Sequence, residues 1–100
     1  MVKHRILWQL REELTAQEKE RVKRGIKEGL EGLAGKVPGL LEIRVQTECL
    51  PSSTADVMLD SSFEDEAALE GYAVHPAHVA VADSCVRPYT RTRLCIDYEL

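Results

Sequence analysis

The sequence lacks long hydrophobic runs and is poor in cysteine, and each shortage excludes a class of protein. No apolar stretch approaches the roughly 18 residues that a membrane-spanning helix needs, so we expect no membrane partner. The N-terminus, MVKHRILWQLREE, has neither a long apolar segment nor a small-residue cleavage site, so we expect no signal peptide. The three cysteines, Cys49, Cys85 and Cys95, form no CxxC pair, which is typical of a reducing cytoplasmic setting.

A basic excess is also missing. The formal net charge is -4. Residues 1–50 carry ten Lys and Arg against eight Asp and Glu, whereas residues 51–100 carry three against nine. Nucleic acid is therefore not an expected partner. The basic run from Lys19 to Lys27 is interleaved with Glu20, and we interpret it as the solvated face of a helix.

Signals of nucleophilic and phosphate-binding sites are absent as well. The chain has no serine elbow, and a Cys–His catalytic pair would require Cys85 or Cys95 to approach a histidine. Gly25, Gly29 and Gly32 lie inside a predicted helix, not between a strand and a helix, so they do not form a phosphate loop. We predict no bound cofactor.

What the sequence does contain is a regular alternation of apolar and polar residues in four segments, which predicts strands. Thr15 followed by Glu18 is a capping box that starts a helix with an apolar stripe. The predicted strands are 2–11, 40–48, 56–63 and 92–100, and the helices begin after Thr15, Asp65 and His75. This order predicts one α+β domain over residues 1–100, of the ferredoxin-like βαββαβ type with a four-stranded antiparallel sheet.

The alternation also divides the sheet into two faces, and we expect the helices to cover the more apolar one. On the last strand this face comprises Leu94, Ile96, Tyr98 and Leu100. The opposite face would then hold Cys95 and Asp97 with the polar side of the other strands. Its mixture of charged and apolar residues suits either contact with water or a two-fold contact with a second copy of the chain.

The stretch GYAVHPAHV contains two of the three histidines. Because proline is favoured at the first helical position, Pro76 makes His75 the predicted N-cap and places His78 in the first turn. The third histidine, His4, lies on the apolar face of the first strand, where it needs a polar partner. Three histidines can bind a metal, but a capping His75 need not share a face with His78. Asp97 is predicted to lie on the opposite face, so we predict no metal site.

The sequence resembles the stress-responsive A/B barrel domain family, known as Dabb, in four segments. These are VKHRILWQL, PGLLEIRV, ALEGYAVHPAHVAVAD and RLCIDYEL, which span the chain in the expected order. The resemblance implies a homodimer whose subunits pair through their open sheet faces into a dimeric α+β barrel. Relatives include plant stress proteins, bacterial proteins without an assigned role and the plant cyclase that makes olivetolic acid.

The resemblance to the cyclase implies that His4, Tyr72 and His78 are the candidate catalytic residues. Candidate walls of a ligand pocket between sheet and helices are Trp8, Ile26, Leu30, Val57 and Val81. In this scheme His78 takes a proton from a carbon next to a carbonyl, Tyr72 donates a hydrogen bond to the enolate, and His4 orients or assists.

Three functions remain open from the sequence. The first is binding of a small apolar carbonyl compound by a stress-associated or accessory protein. The second is an enzyme, similar to a polyketide cyclase or a lyase, that uses histidine and tyrosine for acid–base chemistry. The third is a purely structural dimer module, in which the histidines cap a helix or bond to the backbone and Tyr72 packs in the core.

Overall fold

The computed structural model describes residues 1–100, and its strands and helices follow the predicted order. The strands are β1 (Val2–Leu10), β2 (Leu40–Gln46), β3 (Val57–Phe63) and β4 (Thr90–Glu99); the helices are α1 (Ala16–Glu31), α2 (Glu66–Val74) and α3 (Pro76–Val81). A π-helical turn, Ala82–Val86, and a 3₁₀ turn, Arg87–Tyr89, connect α3 to β4. The antiparallel sheet has the order β2-β3-β1-β4, the ferredoxin-like arrangement that the sequence predicted. None of the helices combines the length and the hydropathy needed to cross a membrane.

The three helices begin where the sequence predicted, each at a side-chain cap. At Thr15, the hydroxyl accepts from the Glu18 N–H at 3.1 Å, and the Thr15 N–H donates to the Glu18 carboxylate at 2.8 Å. Asp65 accepts from the Ala68 N–H at 2.8 Å and so caps α2. His75 both ends α2 and caps α3, where its Nδ1 accepts from the Ala77 N–H at 3.1 Å. The cap at His75 therefore sets the angle between the helices that carry Tyr72 and His78.

The helices cover one face of the sheet and bury a single core. The buried apolar residues of α1 are Val22, Ile26 and Leu30, and they pack on side chains of β1, β2 and β3. Gly29 lets α3 approach α1 closely, because a Cβ atom at this position would lie 2.8 Å from Cγ1 of Val81. This contact helps to hold α3 over the sheet.

The prediction for the two faces of β4 is wrong. In the β1–β4 pairing, Asp97 is opposite His4 and Leu94 is opposite Leu7, and opposed residues lie on the same face. Because His4 faces the helices, Asp97 and Cys95 also lie on that side, whereas Leu94 and Ile96 lie on the open face. Alternation identifies which residues share a face, but it does not identify which of the two faces the helices cover.

The open face of the sheet combines exposed apolar side chains with ion pairs. Leu94 and Ile96 are 64% and 60% exposed, and Leu7 beside them is 40% exposed. On the same face, Lys3 contacts the Asp60 carboxylate at 2.7 Å, and Arg5 contacts it at 3.2 Å. This face therefore offers an apolar area next to paired charges.

Candidate functional site

A cavity of about 410 Å³ lies between the sheet and the helices, within the usual range for small-molecule sites. Nine of its fourteen lining residues are hydrophobic, so most of the wall is apolar. The apolar wall includes Ile6, Trp8, Leu30, Leu59, Leu69, Ala82 and Val86. The residues with a polar or charged group are His4, Tyr72, His78, Arg87, Thr90 and Arg93. The structure therefore brings the three predicted catalytic residues together on one cavity.

Tyr72 lies at the centre of an aromatic cluster and is only 2% exposed. Its ring centroid is 4.1 Å from that of His78, 5.0 Å from that of Phe63 and 6.0 Å from that of His4. The hydroxyl oxygen is buried and has no hydrogen-bond partner in the protein. Burial raises the pKa of Tyr72 far above its ordinary value of 10.0, while the charge of Arg93 opposes the shift. At neutral pH the hydroxyl is thus protonated and keeps a hydrogen that it can donate.

His78 reaches the cavity from the first turn of α3. Its Nδ1 lies 3.4 Å from the Ala73 carbonyl, which can only accept a hydrogen bond, so this contact requires the proton on Nδ1. Burial lowers the pKa of His78 below its ordinary value of 6.5; the Ala73 contact opposes the shift, and the nearby Arg87 charge adds to it. At neutral pH the ring is therefore uncharged, with Nε2 as its basic nitrogen.

His4 finds the polar partner that its buried position requires. The ring is on the helix-covered face, with 6% of the residue exposed, and its Nδ1 lies 2.5 Å from the carboxylate of Asp97. A carboxylate accepts hydrogen bonds, so the bond keeps a proton on Nδ1 and fixes the orientation of the ring. The sequence placed Asp97 on the opposite face and therefore did not identify it as the partner of His4.

Cys95 lies beside this pair and completes the one set of side chains suited to a metal ion. Its Sγ is 3.7 Å from Nδ1 of His4 and 3.5 Å from the Asp97 carboxylate, and the three donor atoms lie within 4.8 Å of one another. Nitrogen, thiolate and carboxylate ligands in this arrangement would suit Zn²⁺. Burial and the Asp97 charge, however, raise the pKa of the Cys95 thiol, so without a metal the group is a neutral thiol.

Of the five residues proposed as pocket walls, two line the cavity and three do not. Trp8 and Leu30 line the cavity. Ile26 and Val57 have no exposed surface and lie within the core instead of at the cavity. Val81 packs against Gly29 and does not line the cavity.

The sequence reasoning missed the basic residues of the cavity as well as Asp97. Arg87 comes from the 3₁₀ turn before β4, and Arg93 lies opposite Trp8 in the β1–β4 pairing. The signal available in the sequence was the buried His4: it needs an acidic partner, and β4 is the neighbour of β1 in a ferredoxin-like sheet. Placing Asp97 on the helix side would have placed Arg93 there too.

Comparison with known proteins gives one family and a consistent fold. The family model of the stress responsive A/B barrel domain matches residues 2–100. A dimeric protein of unknown function from Bacteroides fragilis is 33% identical, with a TM-score of 0.92, over 99% of this chain and 95% of that one. A Dabb family protein from Mesorhizobium loti is 21% identical, with a TM-score of 0.75, over 99% and 95% of the two chains.

An enzyme is also among the similar structures. Hydroxynitrile lyase from Passiflora edulis is 15% identical, with a TM-score of 0.72, over 97% of this chain and 90% of that one. At this identity the likeness concerns the fold alone, and it shows that the fold can hold an active site. No curated protein is significantly similar to the chain in sequence.

The buried hydroxyl of Tyr72 leads to a prediction about stability. Tyr72→Phe removes a polar group that is buried without a partner, so we expect the free energy of unfolding to rise by on the order of 1 kcal/mol. Urea unfolding measures this change. The control is Tyr89→Phe at an exposed tyrosine, which should leave the unfolding free energy nearly unchanged. A clear loss of stability in Tyr72→Phe would show instead that the hydroxyl is bonded in the folded protein.

Proposed function

Because the chain belongs to the stress responsive A/B barrel domain family, we propose that it binds a small apolar carbonyl compound in the cavity between sheet and helices. The observation that carries the proposal is the buried Tyr72 hydroxyl, which has no partner in the protein and belongs to an apolar cavity of about 410 Å³. Leaving a buried hydroxyl unbonded costs about 1–3 kcal/mol, and a ligand that accepts its hydrogen bond recovers that cost. A carbonyl oxygen is such an acceptor.

The chemistry of the cavity suits a neutral acceptor, such as a carbonyl oxygen, on an apolar ligand. Tyr72 remains protonated because burial raises its pKa, so the group offers a donor to a neutral oxygen. The ring of His78 packs 4.1 Å from the Tyr72 ring and is uncharged at neutral pH, which keeps this part of the wall compatible with an apolar ligand. An accessory role in a stress response, by sequestering or carrying such a compound, agrees with this site.

Binding of 2-octanone, followed by titration calorimetry, tests the proposal. We expect the wild-type protein to bind this ketone and Tyr72→Phe to bind it about 2–10-fold more weakly, which is the range for one neutral hydrogen bond. Ala73→Trp places a large side chain at an exposed position of the lining and should abolish binding. Ala80→Trp is the matched control, since Ala80 is exposed on α3 but does not line the cavity.

The opposite result would favour the purely structural dimer. If no ketone binds, or if Ala73→Trp binds as tightly as the wild type, the cavity is not a ligand site. His75 would then be a helix cap and His78 a side chain bonded to the backbone, with no part in ligand binding.

A second candidate function is an enzyme that transfers a proton, and the state of His78 favours it. The Nδ1 contact to Ala73 leaves the lone pair on Nε2, and the lowered pKa keeps the ring uncharged at neutral pH. Nε2 would take a proton from the carbon next to the ligand carbonyl, and Tyr72 would donate a hydrogen bond to the enolate oxygen that forms. In a cyclase-like enzyme, this enolate would then attack a second carbonyl of the ligand. A lyase is the other class of enzyme that this proton transfer would suit. His4, oriented by Asp97, would assist.

Exchange of the α-hydrogens of 2-octanone in D₂O, followed by proton NMR, tests this chemistry. The active form of His78 is uncharged, so the exchange rate should fall as pH drops through its lowered pKa, with the midpoint below 6.5. We expect His78→Gln to abolish catalysed exchange. His75→Asn should retain it, because asparagine can still cap α3 and residue 75 does not line the cavity. Exchange no faster than in buffer would leave binding as the function.

We further propose that the chain forms a homodimer through the open face of the sheet. Leu94 and Ile96 are largely exposed on that face, which is more apolar surface than a strand usually presents to water. The Bacteroides fragilis relative, at 33% identity, is described as dimeric, which supports the same assembly here. A cytoplasmic location also fits, since Cys49, Cys85 and Cys95 are all free thiols.

Sedimentation equilibrium at micromolar concentration tests the dimer. The wild type should have twice the 11.2 kDa mass of one chain, and Ile96→Lys should have the mass of one chain because it places a charge in the apolar contact. Leu50→Lys is the control, at a side chain that is 75% exposed in the connection between β2 and β3. A wild-type mass of one chain, or an unaffected Ile96→Lys dimer, would contradict this assembly.

A further inference from the structure

The charge of the cavity is opposite to the charge of the chain. The protein has a net charge of -4, and its second half contains nine acidic residues. No Asp or Glu lines the cavity, however, whereas two arginines and two histidines do. The second half has three basic residues, Arg87, Arg91 and Arg93, and two of these are in the lining. The distribution concentrates positive charge where a ligand would lie.

Arg93 is the cation of this group that has no carboxylate partner. Arg87 already has a carboxylate partner, Asp83, one helical turn earlier. None of the ion pairs in the structure includes Arg93. Its register opposite Trp8 places its side chain on the helix-covered side of β4, towards the cavity. Arg93 is exposed, and its guanidinium, which lacks a carboxylate, is suited to an anionic partner at the cavity.

The strand register separates the backbone of His4 from the backbone of this cation. His4 is opposite Asp97 and Trp8 is opposite Arg93, so the two pairs are four residues apart along the sheet. At the usual rise of a strand this separation is about 13 Å. The Arg93 charge nevertheless acts on both Tyr72 and His78, which agrees with their lining the same cavity. The Arg93 side chain also contacts the Cys95 thiol, whose Sγ is 3.7 Å from Nδ1 of His4, so the cation borders the same cavity from the β4 side.

We propose that the ligand carries an anionic group, a carboxylate or a phosphate, joined to its carbonyl by a short apolar chain, and that Arg93 binds this group. The proposal rests on the proposed function and adds the class of ligand to it. Tyr72 donates to the carbonyl oxygen at one end. The two N–H groups on one side of the Arg93 guanidinium donate to two oxygens of the anion at the other end.

Two matched probes test the proposal: 7-oxooctanoate and its uncharged methyl ester, each titrated calorimetrically at pH 7.5 and low ionic strength. We expect the wild type to bind the acid at least about tenfold more tightly, the effect of one charge-assisted contact. Arg93→Gln should reduce acid binding to the level of the ester and leave ester binding unchanged. Added salt should weaken binding of the acid but not of the ester.

The control variant is Arg91→Gln. Arg91 is on the same strand but contacts Glu12 and the Leu10 carbonyl and does not line the cavity, so its loss should preserve the preference for the acid. Replacing the acid by 6-oxoheptyl phosphate decides which anion is preferred. Equal binding of acid and ester by the wild type, with both lost in Ala73→Trp, would overturn the anionic ligand and leave the carbonyl site standing. Failure of every probe to bind would overturn both.

Discussion

The hydrogen bond between His4 and Asp97 joins the first and last strands beneath the helices, and it accompanies the register that decides what each face of β4 presents. A buried histidine needs a polar partner, and Asp97 supplies one at 2.5 Å. Because side chains alternate along a strand, an inward Asp97 requires an inward Arg93 and an outward Leu94 and Ile96. One register therefore places a cation at the cavity and apolar surface on the open face. A shift by a single residue would exchange the two.

The cavity is a compromise between stability and chemistry. A core is more stable when its buried polar groups all have hydrogen-bond partners or when its side chains are all apolar. Tyr72 nevertheless keeps a buried hydroxyl without a partner in the protein. Its neighbour His78 is held in an uncharged state by its surroundings. Such departures from the best packing concentrate at functional sites. Their grouping around one apolar cavity is the strongest physical reason to regard it as a site.

The two proposed contacts of the protein use opposite sides of one sheet. Family membership determines the fold, and a relative of the same fold is described as dimeric. It does not determine an activity, because relatives of this fold include both proteins of unknown function and a hydroxynitrile lyase. The reasons to expect a ligand lie on the helix-covered side of the sheet. There the cavity lining combines apolar walls, the buried Tyr72 hydroxyl and an arginine without a carboxylate partner.

The sequence by itself determined the succession of strands and helices along the chain and the start of each helix. These features are local: alternation over a few residues, Thr15 with Glu18, and a proline after His75 act within one element. Only the tertiary structure decided which face of β4 meets the helices, since alternation gives two faces without saying which is buried. It also decided that Ile26 and Val57 lie in the core while Trp8 and Leu30 line a cavity. Whether an apolar residue fills space or borders it depends on how several elements pack together, and no single segment of sequence carries that information.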